Sequence, residues 1–385
     1  MDKANHENKT ICFNKAPYIG TEFSHIQEAI ETGKLSGGGL YTNLCQEWME
    51  EKCGGMAGVL LTTSGTHALE MAVMLAGIEE DDEVIMPSYT FASTATAFIQ
   101  RGARIVFVDI RPDTLNIDET KIENAITNRT KVIIPMHYAG VGCAMDEISE
   151  ITSAYNLTVI EDAAQGVMAT YKGKMLGSIG DFGCYSFHDS KNFTMGEGGA
   201  IIIRDKDLFE KGEIFREKGT DRSRFFRGEV EEYTWVDKGS SYIPSELNAA
   251  YLYPQLLEAE EIIKDRMALW ELYHSLLSSL EENSIIGLPV IPAECLHNAH
   301  MFYIKTKSFE ERASLIIFLE KRGITAVFHY VPLHSSPAGM KYGRFHGADE
   351  YTTSESKHIL RLPLYYGLSP ESVRYVADSI IEFYS

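Results

Sequence analysis

The sequence from position 159 to position 166 reads Val-Ile-Glu-Asp-Ala-Ala-Gln-Gly. An apolar run here ends in Asp162 and turns at Gly166, which predicts a buried strand with Asp162 and Gln165 at its carboxyl end. Burying a carboxylate is costly unless a cation pairs with it. Asp162 is therefore a candidate partner for a cationic ring nitrogen. A carboxylate that only caps the following turn would give the same motif.

Short apolar runs of the same kind alternate with amphipathic stretches along the first half of the chain. The expected strands cover residues 58–62, 83–86, 104–109, 131–136 and 157–161, and the expected helices cover residues 66–75, 92–100, 118–125 and 145–155. This alternation predicts an α/β fold whose central sheet is mostly parallel and covered by helices on both faces. Ligands of such sheets bind beyond the carboxyl ends of the strands.

The pattern changes after about residue 250, where apolar residues at helical spacing predict a long helical stretch over residues 250–280. Mixed strand and helix patterns follow it. We therefore predict a large domain at residues 1–258, with an N-terminal arm at residues 1–35, and a smaller C-terminal α+β domain at residues 259–385.

Composition excludes several classes of protein. The formal net charge of −20 argues against a nucleic-acid partner, because phosphates require a basic surface. The apolar runs are far shorter than the ~20 residues that span a bilayer, and the N-terminus is polar, so we expect no membrane partner and a cytoplasmic protein. Six scattered cysteines without a Cys-x-x-Cys pair favour reduced thiols and no metal site.

A polar loop carries Lys191 and turns through Gly196, Gly198 and Gly199 into a predicted strand at residues 200–203. A lysine that projects into a pocket can form an imine with an aldehyde, and desolvation lowers its pKa for that role. Taken alone, a lysine in a loop is more often simply solvated. Lys191 becomes a candidate because Asp162 and a phosphate-binding loop accompany it.

Two other loops at strand ends have suitable chemistry. Ser64-Gly65-Thr66 joins a strand to a helix, where free backbone N–H groups and hydroxyls make a phosphate site, although the same triplet is an ordinary helix cap. The next strand leads into Pro87-Ser-Tyr-Thr-Phe91, where Tyr89 or Phe91 is placed to lie flat on a ring. An aromatic of the core is the alternative.

Together these segments resemble the DegT/DnrJ/EryC1/StrS sugar aminotransferases, which have the aspartate aminotransferase fold (fold type I). The resemblance extends from residues 33–39 to Arg361-Leu-Pro-Leu-Tyr365 and includes residues 83–91, 162–168, 216–220 and 298–303. It implies pyridoxal 5'-phosphate as cofactor. It also implies a homodimer that builds each cofactor pocket at the subunit boundary.

The resemblance also assigns roles to single residues. It implies that Lys191 holds the cofactor covalently and shuttles the proton, that Asp162 pairs with the ring nitrogen, and that Gln165 contacts the ring hydroxyl. Phe91 would stack on the ring. Three residues would hold the phosphate: Gly65, Thr66 and Ser186. Many relatives have Asn-Tyr-Arg-Met where this chain has Ser-Tyr-Ile-Pro, and their Asn reaches the neighbouring subunit's cofactor phosphate, so Ser241 would have to take that place.

The substrates that the resemblance implies are a nucleotide-linked keto-sugar, dTDP-4-keto-6-deoxyglucose aminated at C4, and glutamate as amino donor, in the synthesis of a surface polysaccharide. An acidic protein must supply cations locally to hold a diphosphate. The basic stretch at residues 216–227 predicts this role for Arg222, Arg224 and Arg227, unless it is a solvated surface run. His329 is a further candidate for the sugar, and a structural histidine is its alternative.

Other functions stay open at this point. Amination at C3, or of another keto-sugar, would use the same residues. A dehydratase of the same fold has histidine at the lysine position, which Lys191 disfavours. A non-catalytic sugar-sensing protein would not need Asp162, Gln165 and Lys191 together. A nicotinamide-dependent dehydrogenase is disfavoured because no Gly-x-Gly-x-x-Gly follows a strand.

Overall fold

A computed structural model describes residues 10–55 and 58–385, so residues 1–9 of the predicted N-terminal arm lie outside the described residues. The strands in chain order are β1 Gly58–Thr62, β2 Glu83–Pro87, β3 Arg104–Val108, β4 Thr130–Ile133, β5 Thr158–Asp162, β6 Thr170–Tyr171, β7 Lys174–Met175, β8 Phe182–Ser186, β9 Gly199–Ile203, β10 Cys295–Leu296, β11 Phe302–Lys305, β12 Val327–Phe328, β13 Gly343–Phe345 and β14 Ile359–Leu362. The helices are α1 Glu22–Glu31, α2 Leu40–Lys52, α3 Gly65–Leu75, α4 Ala92–Ile99, α5 Ile122–Ala125, α6 Met145–Tyr155, α7 Lys206–Arg216, α8 Arg222–Phe226, α9 Glu246–Leu257, α10 Ala259–Glu282, α11 Phe309–Glu320, α12 Pro337–Tyr342, α13 Thr352–His358 and α14 Pro370–Tyr384.

In the described part of the chain, eight strands form one large sheet in the order β1-β9-β8-β5-β4-β2-β3-β13. β9 runs antiparallel to both of its neighbours, and the pairs from β8 to β13 are parallel. The predicted α/β fold with a mostly parallel sheet is confirmed. Because β1, β5 and β8 point the same way, their carboxyl ends meet at one edge of the sheet.

Successive side chains of the central strands enter two separate cores, one on each face of the sheet. Leu61 and Ile85 pack in one core, and their neighbours Leu60 and Val84 pack in the other. Helices cover both faces, so both sets of side chains leave water. This double burial explains why the strands are uninterrupted apolar runs in the sequence.

The helical stretch predicted for residues 250–280 is present, but it is broken at Glu258. Two helices, α9 and α10, occupy this region, and the backbone of Glu258 between them departs from regular helical geometry (φ −97°, ψ 19°). Leu252 and Leu256 of α9 pack in a core of the large sheet, whereas Leu269 and Leu277 of α10 pack in the C-terminal core. Both helices keep the same apolar spacing, so the sequence pattern did not reveal the break.

The C-terminal part has its own three-stranded antiparallel sheet, in the order β11-β14-β12. Several contacts cross the predicted boundary between residues 258 and 259, including the pairing of β10 with β6. β13 pairs with β3 of the large sheet, and Ile11 forms a bridge with Ile324 and joins the C-terminal core. The boundary itself stays a prediction.

No helix among the described residues has the length and apolar character needed to cross a membrane. No group of three or more His, Cys, Asp or Glu side chains among them is arranged to hold a metal ion.

Candidate active site

A cavity of about 850 Å³ opens where the carboxyl ends of β1, β5 and β8 face the C-terminal part of the chain. Most of the candidate residues lie on its wall. The lining includes Gly65, Thr66, Phe91, Asp162, Ser186, Lys191 and His329. The loops that were predicted separately from the sequence therefore contribute to one site.

Asp162 ends β5 and is buried at the bottom of this cavity. Its Oδ2 accepts a hydrogen bond from Thr94 Oγ1 at 2.7 Å, and its Oδ1 accepts one from the Ala164 N–H at 3.2 Å. The carboxylate thus caps the following turn, which was the structural role that the sequence left open for Asp162. It has no ion pair within residues 10–55 and 58–385, which leaves it available to a cationic ring nitrogen.

Lys191 is half-buried in the loop between β8 and β9. The next residue fixes this loop to the C-terminal part, because Asn192 Nδ2 donates to the Asn298 carbonyl at 2.8 Å. Desolvation lowers the pKa of Lys191 to about 8, with the charge of Arg361 adding to the effect and Asp162 opposing it. More of the amine is therefore neutral near pH 7 than in an ordinary lysine, and the neutral amine is the nucleophile.

The start of α3 forms a cradle beside Ser186. Ser64 caps the helix by accepting from the His67 N–H at 3.1 Å, so the first N–H groups of the helix have no partner inside it. A Cβ on Gly65 would lie 2.9 Å from the Ser186 Cβ, so the close approach of these two segments requires glycine here. Free N–H groups together with the hydroxyls of Thr66 and Ser186 are suited to bind a phosphate.

Gln165 and Phe91 were both predicted to contact the cofactor ring, and they lie in different surroundings. Gln165 is buried and its Oε1 accepts from the Ala139 N–H at 2.7 Å, while its Nε2 donates to the Tyr330 hydroxyl at 3.2 Å. It lines a small void that also touches Lys191. Phe91 is 59% exposed at the rim of the cavity, where its face is available for stacking.

His329 faces the cavity and also has a structural contact. Its Nδ1 lies 3.1 Å from the Tyr138 hydroxyl, and its side chain is buried. Burial, with the nearby charge of Arg361, holds the pKa of His329 well below its ordinary value. The imidazole is therefore neutral, so it can donate or accept a hydrogen bond but adds no charge.

The three arginines predicted to bind the diphosphate lie outside the lining of this cavity. Arg227 contacts the Glu213 carboxylate at 2.8 Å and the Glu229 carboxylate at 2.7 Å. Arg224 also contacts Glu229, and Arg222 contacts a further carboxylate of the same region. The sequence revealed these cations, but it did not reveal that acidic side chains of this chain already pair with them.

Ser241 is exposed and also lies outside the cavity lining. It forms an isolated bridge with Glu217, next to the segment that carries the three arginines. A contact of Ser241 with the cofactor of a second subunit stays a prediction.

The cavity residues that were not assigned from the sequence include Thr94, His300 and Arg361. Thr94 lies in the first turn of α4, three residues after the predicted Phe91, and that spacing was the available signal. His300 Nδ1 lies 3.1 Å from Asn192 Oδ1, beside Lys191. His300 and Arg361 occur in segments that carried the family resemblance, but nothing in the sequence placed them opposite Lys191.

The residues that are present fit pyridoxal phosphate. Lys191 has a lowered pKa, Asp162 lacks a cationic partner among the described residues, and the cradle at Gly65 leaves no room for a Cβ. These features match, in turn, an aldehyde carbon, a protonated ring nitrogen and a phosphate.

Comparison with known proteins gives consistent matches over almost the whole chain. A profile of the DegT/DnrJ/EryC1/StrS aminotransferase family matches residues 18–381. The chain is 34% identical over 323 residues to the pleiotropic regulatory protein of Geobacillus stearothermophilus, covering 83% of both proteins. It is 31% identical over 371 residues to GDP-perosamine synthase of Escherichia coli O157:H7, covering 95% of this chain and 96% of the relative. The crystal structure of the aminotransferase TlmJ from Streptoalloteichus hindustanus matches with a TM-score of 0.89 at 25% identity, covering 98% of this chain and 99% of that chain.

Proposed function

Because the chain belongs to the DegT/DnrJ/EryC1/StrS aminotransferase family and is a pyridoxal-phosphate-dependent sugar aminotransferase, we propose that it aminates C4 of a nucleotide-linked 4-keto-6-deoxy sugar. The observation that carries this proposal is that Lys191 and Asp162 face the same cavity from the ends of neighbouring segments of the sheet. The acceptor is dTDP-4-keto-6-deoxyglucose, the product has the galacto configuration at C4, and glutamate is the amino donor.

When bound, pyridoxal phosphate supplies the aldehyde that takes up the amino group and the ring that withdraws electrons from the reacting carbon. Asp162 would keep the ring nitrogen protonated. The start of α3 and Ser186 would hold the phosphate, Gln165 would contact the ring hydroxyl and Phe91 would cover one face of the ring. These contacts would orient the cofactor toward Lys191.

Lys191 moves the proton in both halves of the reaction. Its Nζ takes the proton from the α-carbon of the amino donor, and the donor leaves as a keto acid after water supplies the keto oxygen. In the second half the sugar's carbonyl oxygen leaves as water, and Nζ delivers a proton to the sugar carbon. The net change is one amino group gained by the sugar and one keto group gained by the donor.

The oligomeric state, the compartment and the pathway are also part of the proposal. The enzyme acts as a homodimer in the cytoplasm, in the synthesis of a surface polysaccharide. The nucleotide is thymidine diphosphate. The resemblance carried by residues 83–91, 162–168, 216–220 and 298–303 supports this choice. One relative is named a GDP-perosamine synthase, so a GDP-linked sugar is the alternative acceptor.

Product analysis tests the substrate. The holoenzyme is incubated with glutamate and either dTDP-4-keto-6-deoxyglucose or its GDP-linked counterpart, and NMR locates the new amine. We expect an amine at C4 from the dTDP sugar and none from the Lys191→Ala variant. A preference for the GDP sugar, or an amine at C3, would replace the acceptor proposed here.

A regulatory function is the second candidate, because one relative is named a pleiotropic regulatory protein. A protein that only senses the sugar would bind it without forming a product. The joint presence of Lys191 and Asp162 in one cavity favours the enzyme. The same product analysis separates the two candidates.

A further inference from the structure

His300 lies just before β11 and lines the cavity beside Lys191. The imidazole is half-buried, and its Nδ1 atom lies 3.1 Å from Asn192 Oδ1. The other ring nitrogen, Nε2, has no hydrogen-bond or ion-pair partner among the described residues. The ring therefore reaches the cavity with one nitrogen engaged and one nitrogen open.

The contacts of Asn192 decide which nitrogen of His300 carries the proton. Asn192 Nδ2 donates to the Asn298 carbonyl at 2.8 Å, and this fixes the orientation of the amide because a carbonyl only accepts. The atom that faces His300 is then Asn192 Oδ1, which also only accepts. Nδ1 of His300 must therefore be the donor, and Nε2 of the neutral ring carries a lone pair and no proton.

The surroundings of His300 keep the ring neutral. Burial holds the pKa of His300 well below its ordinary value, and the charges of Lys191, Arg266 and Arg361 act in the same direction. Nε2 thus remains a pure hydrogen-bond acceptor. An acceptor that is removed from water without a donor costs free energy, and a ligand that brings an O–H group would offset this cost.

The two substrates of the proposed reaction offer different groups to this acceptor. An amino donor brings carboxylates, which a lone pair repels, and its amine is the group that reacts. A 4-keto-6-deoxy sugar brings hydroxyls. On one side of its carbonyl, C3 carries a hydroxyl, whereas C5 on the other side carries the methyl group and the ring oxygen, which donate no hydrogen bond. Because the carbonyl carbon reacts at Lys191, the C3 hydroxyl is the donor attached closest to the reacting carbon.

We infer that His300 Nε2 accepts a hydrogen bond from the C3 hydroxyl of the acceptor sugar and thereby selects keto-sugars that carry this hydroxyl. The inference rests on the proposed function, because it concerns the sugar of that reaction. Asn192 is a positioning residue in this arrangement. It fixes the imidazole and directly follows Lys191 in the chain, so the sugar contact and the reacting amine are held in one frame.

The first experiment needs no variant. Glutamate converts the holoenzyme to the pyridoxamine form of its cofactor, and this form is mixed with dTDP-4-keto-6-deoxyglucose or with the 3-deoxy counterpart of that sugar. The cofactor absorbance gives the second-order rate constant of the half-reaction. We expect the sugar with the hydroxyl to react about ten- to a hundredfold faster, because the 3-deoxy sugar leaves the buried acceptor unpaired.

Two amide substitutions then separate the two nitrogens of His300. The amide of His300→Asn reaches the position of Nδ1, so this variant can still donate to Asn192 but presents no acceptor at Nε2. Its preference for the C3 hydroxyl should fall below about threefold, and its rate with glutamate should change by less than about threefold. The amide of His300→Gln reaches the position of Nε2 and should retain part of the preference. His274→Phe is the matched control, because His274 stacks on Trp270 outside the cavity lining.

A binding measurement keeps the test independent of turnover. The ligand dTDP-6-deoxyglucose has a hydroxyl in place of the carbonyl at C4 and cannot be aminated. Titration calorimetry of the holoenzyme with this ligand and with its 3-deoxy counterpart should show a similar difference in Kd. His300→Asn should abolish the difference, and His274→Phe should keep it.

The outcomes separate this inference from the proposed function. Equal rate constants for the two sugars in the wild type, or a preference that survives His300→Asn, would overturn the role of His300. A loss with glutamate as large as the loss with the sugar would also overturn it, because Nε2 would then act on Lys191. A wild-type enzyme that reacts with glutamate but with neither sugar would refute the proposed acceptor, and calorimetry would then decide the role of His300 separately.

Discussion

Thr94 donates a hydrogen bond from Oγ1 to Oδ2 of Asp162 over 2.7 Å, and this contact joins the first turn of α4 to the end of β5. Thr90 Oγ1 lies 2.9 Å from Thr94 Oγ1, so the threonine is itself held in place. The orientation of the carboxylate therefore depends on a helix in a different part of the sequence. Thr94 acts on the cofactor ring through Asp162 and is a positioning residue.

Replacement of Thr94 by valine removes this hydroxyl with little change of shape. We expect Thr94→Val to lower kcat about tenfold, because a hydrogen bond to a charged group contributes roughly 1.5–3 kcal/mol and only part of it bears on the reaction. Cofactor affinity should weaken as well. Thr94→Ser keeps the hydroxyl and should retain most of both. Steady-state kinetics and cofactor titration measure the effects, and equal losses in the two variants would contradict the role.

Asp162→Asn tests the charge at the same position. The amide keeps the shape but cannot hold the ring nitrogen protonated, so the ring loses much of its capacity to withdraw electrons. We expect turnover to fall by more than about a hundredfold while the covalent link to Lys191 still forms. Absorbance verifies that link and single-turnover kinetics measures the loss. A rate near that of the wild type would mean that the carboxylate only caps its turn.

Lys191→Ala removes both the covalent anchor and the proton carrier. The variant should fold and bind pyridoxal phosphate through the cradle at α3, because that cradle contains no atom of Lys191. It should not turn over, and borohydride should no longer fix the cofactor to the protein. Mass spectrometry after reduction and product analysis provide the two measurements. Turnover that survives the substitution would assign the reaction to another residue.

The sequence predicted the parts of this site that depend on the order of strands and loops along the chain. Asp162 ends a strand, Lys191 and the triplet at Ser64 each follow one, and parallel strands place their carboxyl ends together. The sheet direction was therefore enough to predict that these loops meet. The absence of a Gly-x-Gly-x-x-Gly motif after a strand disfavoured a nicotinamide-dependent dehydrogenase, and Lys191 disfavoured a dehydratase of the same fold.

The parts that depend on distant pairing were not predictable. Arg361 reaches the cavity because β14 pairs with β11, and no local pattern encodes that pairing. The acidic partners of the arginine segment are Glu213 in α7, Glu217 just after α7, and Glu229, so the charge surplus seen in the sequence is locally neutralised. The break at Glu258 could not be read from the sequence either, because the apolar spacing continues on both sides although α9 and α10 pack in different cores.

The pKa of Lys191 predicts how cofactor capture depends on pH. Only the neutral amine attacks the aldehyde, and burial lowers the Lys191 pKa from 10.5 to about 8. The rate at which the apoprotein captures pyridoxal phosphate should rise with pH through a midpoint near 8 and then level off. Arg361→Gln should move this midpoint upward, since the arginine's charge opposes protonation of Lys191. Stopped-flow absorbance measures it, and a rate that still climbs steeply at pH 10 would contradict the lowered pKa.

The three arginines give the last prediction. Arg222→Ala, Arg224→Ala and Arg227→Ala should raise KM for the nucleotide sugar more than they lower kcat, because contacts with the diphosphate are far from the reacting carbon. The donor half-reaction should be unaffected. The effect of each should be modest, since these half-exposed side chains already pair with carboxylates that the diphosphate must displace. Kinetics of each half-reaction decide this, and unchanged KM values would place the diphosphate elsewhere.

Because these arginines lie outside the cavity of their own chain, the same prediction requires that they serve the cavity of a second subunit. Subunit mixing tests this directly. A Lys191→Ala chain is combined with a chain that carries all three arginine substitutions. If the sites are composite, each mixed dimer contains one site with an intact lysine from one chain and intact arginines from the other. Activity at low sugar concentration should then recover to about a quarter of the wild-type value, since half of the dimers are mixed and each has one intact site. If each chain serves its own cavity, no intact site can form, and mixing should restore nothing beyond the impaired rate of the triple variant.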